Sequence, residues 1–282
     1  RRLTPAGAGC EVRRARLDAE LVRRGLARSR GHAAELVAAG RVKVGGQVAT
    51  KTATAIGADE PVVVIESRSG EPDYVSRGGH NLAGALAAFP PAGLQIVGRR
   101  CLDAGASTGG FTDVLLRAGA RGVVAVDVGY GQLAWSLRTD PRVVVVDRTN
   151  VRDLTPATIG FAGPLIDVVV GDLSFISLEV VLPALVGVAA DDADLVLMVK
   201  PQFEVGRARV GTGGVVRDPE LRAEAVRAVA AAAGHYGLGA CGVVASLLPG
   251  PAGNVEYFLW LRKGAPPLDE AALVRAVAEG PS

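Results

Sequence analysis

The sequence predicts a doubly wound α/β domain preceded by a small α+β domain. The first observation is an alternation of Val-rich, strand-like runs with helical stretches through the last two thirds of the chain. The second is composition: aromatic residues make up only 4%, and Ala, Val and Gly supply the apolar bulk. Such a composition suits a parallel sheet covered by helices. The third is a pair of short segments near the start with apolar residues at helical spacing, followed by a glycine hairpin turn. These predict the separate small domain.

In the small domain, glycines mark the ends of the predicted elements. A short helix that begins near Arg16 is expected to end at Gly25. Ser29 is the expected N-cap of a second helix, which Gly40 ends. Gly45-Gly46 then makes a hairpin turn between two strands, and residues 62–65 form a further strand.

The large domain is predicted to begin after a polar segment that contains Gly and Pro. We predict a flexible tail over residues 1–12, the small domain over 13–66, a linker over 67–74 and the large domain over 75–282. A helix is expected near residues 81–88. The predicted strands of the large domain are residues 100–104, 122–126, 143–146, 167–170 and 194–199, with strand pairing resumed at 242–246 and 255–261.

Charge is distributed unevenly between the two predicted domains. From Arg13 to Thr54 there are ten Lys and Arg residues against three acids, a net charge of +7. Because the whole chain carries +2, the remainder carries −5. A basic module joined to a mildly acidic one indicates a polyanionic partner for the first, although a merely solvated basic surface is the alternative.

Cysteine and hydropathy patterns exclude several classes of protein. Cys10, Cys101 and Cys241 lie far apart and form no CxxC pair, which fits a reducing compartment and argues against disulfides or a zinc site. None of the three histidines has ligand spacing, so we expect no metal. No apolar run approaches the ~18 residues of a membrane span, and residues 1–11 lack the apolar core of a secretory signal. We therefore expect a soluble, cytoplasmic protein.

A glycine-rich turn, CLDAGASTGGFTDVLL, is the strongest chemical motif. A buried strand ends at Asp103, small residues follow, and a helix opens near Gly110, so backbone amides are available to a ligand. The motif is neither a P-loop nor GxGxxG. The loop could serve a dinucleotide, a phosphate or an adenosylmethionine. Its acid would repel pyrophosphate but suits a ligand with a cationic amino group and no phosphate. A tight strand–helix turn with no ligand is the alternative.

Acids after the next two strands extend this predicted cofactor site. Asp127 would accept both hydroxyls of a ribose, unless it only caps a helix. Asp147 and Asn150 follow the third strand, where adenine contacts arise, although Asp147 would also suit a surface turn. The candidate cofactor-binding residues are Asp103, Gly105, Ser107, Thr108, Gly109, Gly110, Phe111, Asp127, Asp147 and Asn150.

Three further charged residues lie at or near predicted strand ends. Asp172 follows the fourth strand, Lys200 follows the fifth, and Glu256 lies in the late strand GNVEYFLWL. In an open α/β sheet, ligands bind beyond the carboxyl ends of the strands. An ammonium at the end of an apolar strand is costly without partners, so we expect the three to meet. Each alone would also suit a structural ion pair.

The sequence resembles the TlyA group, also known as haemolysin A. The resemblance covers residues 14–262 and rests on RLDAELVRRGLARSR, YVSRGG, LDAGASTGGFT, DVGYGQL, DLSFISL, VKPQFEVG, GGVVRDP and GNVEYFLWL. It implies a Rossmann-like methyltransferase sheet with an N-terminal S4-like RNA-binding domain and S-adenosylmethionine as cofactor. It also implies methylation of a cytidine ribose in small-subunit, often also large-subunit, ribosomal RNA.

The FtsJ-like group carries a catalytic Lys-Asp-Lys-Glu tetrad, of which three members match. They are Asp172, Lys200 and Glu256, while Asn81 stands where the first lysine is expected. We expect Lys200 to take the 2′-hydroxyl proton, directly or through water, with the two acids orienting it. A second lysine would favour the neutral amine by like-charge repulsion. Its replacement by Asn81 therefore predicts a slow enzyme with an alkaline optimum.

The basic domain is expected to contact RNA phosphates, so binding should weaken steeply with salt. The candidate RNA-binding residues are Arg13, Arg14, Arg16, Arg28, Arg30, Arg41 and Lys43.

Three alternative functions remain: a non-catalytic ribosome-binding protein that has lost turnover through Asn81, a membrane-lytic protein as the haemolysin name suggests, and a nicotinamide-dependent oxidoreductase.

Overall fold

The computed structural model divides the chain into two compact units. The N-terminal unit spans Arg1–Asp73 and the C-terminal unit spans Tyr74–Ser282. The structure describes residues 14–27, 29–38, 40–57, 59–65, 73–89, 93–160 and 166–281. The predicted tail over residues 1–12, most of the predicted linker, Arg13 and Arg28 lie outside these ranges.

Two helices and two small sheets form the N-terminal unit. In the described part, β2 pairs antiparallel with β3 and with β5, and β1 pairs antiparallel with β4. Leu17, Leu21 and Leu36 belong to the apolar core that the helices share with the sheet. The elements are β1 (Ala15–Arg16), α1 (Leu17–Arg23), α2 (Arg30–Ala38), β2 (Val42–Val44), β3 (Gln47–Val48), β4 (Ala55–Ile56) and β5 (Val62–Val64).

Glycines and one serine end or cap these elements where the sequence predicts. Gly25 and Gly40 have φ of 71° and 66°, in the left-handed region that ends helices, and Gly45-Gly46 forms the turn between β2 and β3 with φ of 56° and 85°. Ser29 Oγ accepts from the backbone N–H of His32 at 3.1 Å, which satisfies a free donor in the first turn of α2. The local turn chemistry therefore determines the bounds of these short elements.

A seven-stranded sheet organises the described part of the C-terminal unit. Its strand order is β11-β12-β10-β9-β6-β7-β8, and helices cover both faces. The helices are α3 (Arg77–Ala88), α4 (Gly110–Arg117), α5 (Trp135–Arg138), α6 (Leu178–Val188), α7 (Pro201–Glu204), α8 (Pro219–Gly234) and α9 (Glu270–Glu279). The strands are β6 (Arg100–Ala104), β7 (Gly122–Val126), β8 (Val143–Val146), β9 (Ile166–Gly171), β10 (Ala189–Val199), β11 (Leu238–Ala245) and β12 (Tyr257–Lys263).

The predicted α/β fold class is confirmed, with a sheet that is mixed rather than wholly parallel. Strand β12 runs antiparallel to both of its neighbours, whereas β6, β7, β8, β9 and β10 pair in parallel. The pairing places Val199 at the end of β10 opposite Tyr257 at the start of β12. The residues just outside this pair, Lys200 and Glu256, therefore lie at the same edge of the sheet.

No helix among the described residues is long and apolar enough to cross a membrane. The same residues contain no group of three or more His, Cys, Asp or Glu side chains that could hold a metal ion. Cys101 is buried and Cys241 is half-buried, and both are free thiols.

Candidate active site

Asp103, the acid of the glycine-rich motif, is fully buried at the end of β6. Its Oδ2 accepts a hydrogen bond of 2.6 Å from Thr112 Oγ1 in α4, while no described residue hydrogen-bonds its Oδ1. Burial is the main cause that raises the pKa of this carboxyl to about 7, and the Thr112 hydroxyl opposes the rise. Asp103 thus ties the strand to the helix beneath the loop and leaves one acceptor atom unused.

Three glycines let the loop after β6 fold tightly against its neighbours. Gly105 has φ of 87°, and a Cβ there would lie 2.6 Å from the backbone oxygen of Asp172. Gly109, with φ of 100°, is the N-cap residue of α4, and a Cβ on Gly110 would lie 2.2 Å from Ser76 Oγ. Because no other residue fits these positions without strain or collision, the loop backbone comes close to both β9 and the start of α3.

The other predicted residues of this loop have three different surroundings: Ser107 lines the cavity, Thr108 is exposed outside it, and Phe111 lies in the core. Ser107 has φ of 46° and lies on the wall of a cavity. Thr108 accepts a backbone hydrogen bond from Ala134 through its carbonyl oxygen. Phe111 is buried and packs on Phe258, with ring centroids 5.9 Å apart, so it supports the loop from below.

Asp127, after β7, closes the loop through its carboxylate. Its two oxygens accept backbone N–H bonds from Ser107 at 2.8 Å and from Gly129 at 2.7 Å. An ionised carboxylate offers about four acceptor positions, so two remain for a ligand. Asp127 lines the cavity.

After β8, the structure separates the two predicted residues. Asn150 lines the cavity and caps the 3₁₀ turn Val151–Asp153 by accepting from Arg152 N–H. Asp147 instead pairs with Arg138, its Oδ2 lying 3.2 Å from Nη1, and accepts from Gly131 N–H at 3.2 Å. Asp147 is not among the residues that line the cavity.

The cavity at the carboxyl edge of β6, β7 and β9 has a volume of about 740 Å³. This is within the range of roughly 300–1,000 Å³ that small-molecule sites occupy. Its walls combine backbone and carboxylate groups of the loops with apolar side chains. The lining residues that the sequence singled out are Gly105, Ser107, Asp127, Asn150 and Asp172.

Lys200, the predicted base, is buried next to this cavity and has two close partners. Its Nζ lies 2.6 Å from Asp172 Oδ1 and donates to Ser174 Oγ at 3.0 Å. Asp172 directly follows β9 and Lys200 directly follows β10, which are neighbouring parallel strands, so the topology brings the pair together. The predicted meeting of these two charges at the sheet edge is found in the structure.

Glu256, the residue just before the antiparallel strand β12, joins the same cluster. Burial raises the pKa of its carboxyl, and the Lys200 charge and a hydrogen bond from Gln202 oppose the rise. Gln202 Nε2 donates to Glu256 Oε1 at 3.1 Å. A Cβ on Gly250 would lie 2.7 Å from that oxygen, so the loop before β12 closes directly over the carboxylate.

Asn81 is buried on α3 and is engaged with the loop between β11 and β12. Its Oδ1 accepts from the backbone N–H of Leu248 at 3.0 Å. One turn earlier, a Cβ on Gly78 would lie 3.7 Å from Asp172 Oδ2, so the first turn of α3 adjoins the charged cluster. Asn81 therefore acts at least as a structural tie between α3 and the loop that precedes Glu256.

Three residues of this region were not singled out from the sequence. Ser174 and Gln202 hydrogen-bond to Lys200 and Glu256, and Phe175 lines the cavity with 90% of its surface exposed. All three lie in the quoted motifs DLSFISL and VKPQFEVG. The signal that could have found them is their position, two or three residues after a charged residue that follows a strand.

The described RNA-binding candidates differ in how far their charges are used within the N-terminal unit. Arg16 pairs with Asp18 at 2.8 Å, and Arg41 donates to the carbonyl oxygen of Ile65 at 3.0 Å. Arg14 and Arg30 are exposed and Lys43 is half-buried.

Comparison with known proteins decides what kind of enzyme this site belongs to. Residues 74–263 match the FtsJ-like methyltransferase family, and residues 15–62 match the S4 domain. The 16S/23S rRNA (cytidine-2′-O)-methyltransferase TlyA of Mycobacterium tuberculosis is 60% identical over 96% of this chain and 100% of its own length. The chain belongs to the TlyA group of FtsJ-like methyltransferases.

Other members of the TlyA group carry hemolysin names. Hemolysin A of Brachyspira hyodysenteriae is 36% identical over 86% of this chain and 97% of its own length. A solved structure from Streptococcus thermophilus, provisionally named a hemolysin, is 36% identical and covers 95% of this chain and 96% of its own, with a TM-score of 0.72.

As an FtsJ-like methyltransferase, the protein uses S-adenosylmethionine as its methyl donor. The residues at the cavity fit this molecule. Gly105 leaves its wall without a side chain, and Asp127 has acceptor positions to spare for hydroxyl groups. Asp103 Oδ1, which is buried beneath the loop and accepts no hydrogen bond from a described residue, is a further acceptor near the site.

Proposed function

We propose that the protein methylates the ribose 2′-hydroxyl of a cytidine in ribosomal RNA. The observation that carries the proposal is the cluster of Lys200, Asp172 and Glu256 beside a cavity that fits the methyl donor. The M. tuberculosis relative is named for this reaction on 16S and 23S rRNA. An S4 domain on the same chain supplies the RNA-binding half of such an enzyme. Its working place is the cytoplasm, where ribosomal subunits are found.

In this proposal the walls of the cavity hold the cofactor. Asp127 would accept the ribose hydroxyls and Asn150 would meet the adenine, while Gly105 and Ser107 line the same cavity and would leave room for the amino acid portion. Bound S-adenosylmethionine supplies a methyl group already activated on a sulfonium. The protein therefore has to exclude water, align a ribose oxygen and remove one proton.

The target nucleotide is held by groups that differ from those binding the cofactor. Phe175 lines the cavity, is 90% exposed and packs on Phe203 with ring centroids 5.2 Å apart. Its φ of 65° is unusual for an L residue, a strain that commonly persists where function requires it. We assign this exposed ring to stacking on the base of a nucleotide that has left its helix, as single-stranded RNA bases stack on aromatic side chains.

Proton removal falls to Lys200 in this scheme. Its ammonium is held by Asp172, and Glu256 adds a second negative group to the cluster. Only the neutral amine accepts a proton, so transfer should quicken as pH rises. With Asn81 tied to Leu248, no lysine at that position repels the charge on Lys200.

A second candidate is a ribosome-binding protein that has lost turnover, and the hydrogen bond of Asn81 favours it. An amide that ties α3 to the β11–β12 loop shows that the position has a structural use without a lysine. The two candidates share RNA binding and differ only in chemistry.

Methyl transfer to unmethylated 30S and 50S subunits distinguishes them. We expect the native chain to transfer labelled methyl to a ribose at a low rate, and Asn81→Lys to raise the rate and move the profile toward neutral pH. An Asn81→Ala variant is the matched control, because it also breaks the bond to Leu248 but adds no charge. No transfer by the native chain with gain in the lysine variant would establish the second candidate, and identical native and lysine profiles would refute the role assigned to charge at residue 81.

A further inference from the structure

Ser174 links the Lys200 ammonium to the cavity. The lysine is only 8% exposed and is not among the lining residues, whereas Ser174 is exposed and lines the cavity. The two are joined by the 3.0 Å bond from Lys200 Nζ to Ser174 Oγ. A hydroxyl group placed in the cavity therefore meets the serine before it reaches the amine.

The short helix α7 holds the turn that carries Ser174 at two points. Lys200 is the residue that precedes this helix and bonds to Ser174. Glu204 is its last residue and accepts from Ser177 Oγ at 2.6 Å and from Leu178 N–H at 2.9 Å. Between these two ties, Phe175 adopts its strained φ of 65°. The serine is thus fixed relative to the lysine before any substrate arrives, as a proton-transfer group must be.

Asp172 also lines the cavity, and one of its two carboxylate oxygens faces Lys200. Its Oδ1 lies 2.6 Å from the Lys200 ammonium. A carboxylate oxygen that faces an ammonium holds that cation in place. Asp172 therefore serves to hold Lys200, whereas Ser174 connects the amine with the cavity.

We propose that Ser174 relays the 2′-hydroxyl proton to Lys200, a role that rests on the proposed 2′-O-methyl transfer. When Lys200 is charged, it donates to Ser174 Oγ. After Lys200 loses a proton to solvent, Ser174 donates to the amine and its oxygen accepts from the 2′-hydroxyl. In the transfer step the 2′-O–H bond breaks, that proton moves to Ser174 Oγ, and the serine's own proton moves to Lys200 Nζ. The 2′-oxygen gains the methyl carbon while the broken C–S bond leaves its electron pair on sulfur, and the new ammonium balances the lost sulfonium charge.

The test is single-turnover methyl transfer to unmethylated subunits in mixtures of H₂O and D₂O. For the native chain we expect a curved dependence of rate on deuterium content, because two protons move together. Ser174→Ala should lower the rate on the order of 10²-fold, the size of a general-base effect, and give a straight line. Ser174→Thr, which keeps the hydroxyl, should restore curvature and much of the rate. A Ser174→Ala variant that keeps the native rate, or is slower with the same curvature, would overturn the relay.

Two further measurements separate a relay from a structural role. Ser136→Ala is the matched control: it removes an exposed serine of α5 that does not line the cavity, so it should keep the native rate and the curved dependence. In cofactor-free protein, hydrogen exchange at the Lys200 ammonium, seen with ¹⁵N-labelled lysine, should quicken in Ser174→Ala.

We expect native and Ser174→Ala protein to bind S-adenosylhomocysteine with equal affinity. A loss of affinity in the variant would make Ser174 a cofactor contact and refute the relay. If the native chain methylates neither subunit, the proposed function itself fails, whereas ribose methylation unaffected by Ser174→Ala defeats only the relay.

Discussion

Asp103 combines complete burial with a carboxyl whose pKa is raised to about 7 from an ordinary value of 3.8, mainly by desolvation. Between those two values the folded protein binds more protons at this group than the unfolded chain does. The free energy of unfolding should therefore fall as pH rises from about 4 to about 7 and stay low above, by an amount on the order of a few kcal/mol. Asp103→Asn should remove this part of the pH dependence. Urea unfolding of the cofactor-free variant and native protein at pH 5 and pH 8 measures it.

Thr112 provides the control for this prediction. Its hydroxyl favours the ionised form of Asp103, so Thr112→Val should raise the pKa further and move the loss of stability to higher pH. Parallel stability curves for native protein and Asp103→Asn would contradict the account.

The burial of Asp103 also shows what single residues reveal in sequence. Its acid type and its place before a glycine indicated a polar role at a strand end. Whether the carboxylate faces a ligand or the core depends on Gly105, which turns the chain, and on Thr112, which α4 carries back over the strand. The partners of Lys200 and Glu256 were hidden for a similar reason, because Ser174 lies 26 residues from Lys200 and Gln202 lies 54 from Glu256.

At the scale of elements, the hydrophobic pattern of the sequence did not predict the direction of β12 or the start of α3. A buried strand has the same pattern in either direction, so the run at 255–261 did not by itself reveal that β12 is antiparallel. The short loop of residues 246–256 carried that information, since a parallel crossover needs a dozen or more residues.

Helix α3 begins at Arg77, earlier than the predicted residues 81–88. Gly79 is unfavourable in an isolated helix, but a Cβ there would lie 2.5 Å from Tyr74 Cβ and 3.2 Å from Gly110 O, so close packing explains it.

The loop between β6 and α4 yields a prediction about how closely elements approach. Gly105→Ala places a Cβ 2.6 Å from the backbone oxygen of Asp172 and forces an L residue to φ of 87°. The left-handed conformation alone costs about 1–2 kcal/mol, and a backbone atom cannot move aside cheaply. We expect the variant to lose stability and to bind S-adenosylhomocysteine at least tenfold more weakly, because the loop is pushed from β9. Calorimetry and denaturant unfolding measure the two effects.

Gly131→Ala is the matched control for the collision. Gly131 has φ of 66° but nothing lies within 4 Å of the added Cβ, so only the conformational cost applies. If both variants lose the same stability and affinity, then the contact with Asp172 contributes nothing.

At the scale of the whole molecule, the uneven charge of the chain separates RNA binding from chemistry. The basic stretch carries +7 and lies in the unit that matches the S4 domain, while the proposed catalytic cluster belongs to the other unit. Arg16 pairs with Asp18 and Arg41 with Asp73, which composition could not predict. Substitutions in the N-terminal unit should therefore change the affinity for ribosomal subunits and leave the rate at saturation intact.

The exposed Arg30 and half-buried Lys43 make that division testable together. Each cation that contacts a phosphate releases counterions, so the logarithm of the binding constant falls linearly with the logarithm of salt concentration, by about 0.7 to 0.9 per contact. The Arg30→Ala, Lys43→Ala double variant should flatten this slope by about 1.4 to 1.8 and raise KM for subunits, with kcat unchanged. Arg227→Ala is the control, because Arg227 lies in the C-terminal unit and is paired with Glu220 and Glu270. The measurement is the binding constant for ribosomal subunits between about 50 and 200 mM salt.

A slope that stays at the native value would mean that these two cations touch no phosphate. A fall in kcat would show that the basic unit takes part in aligning the ribose.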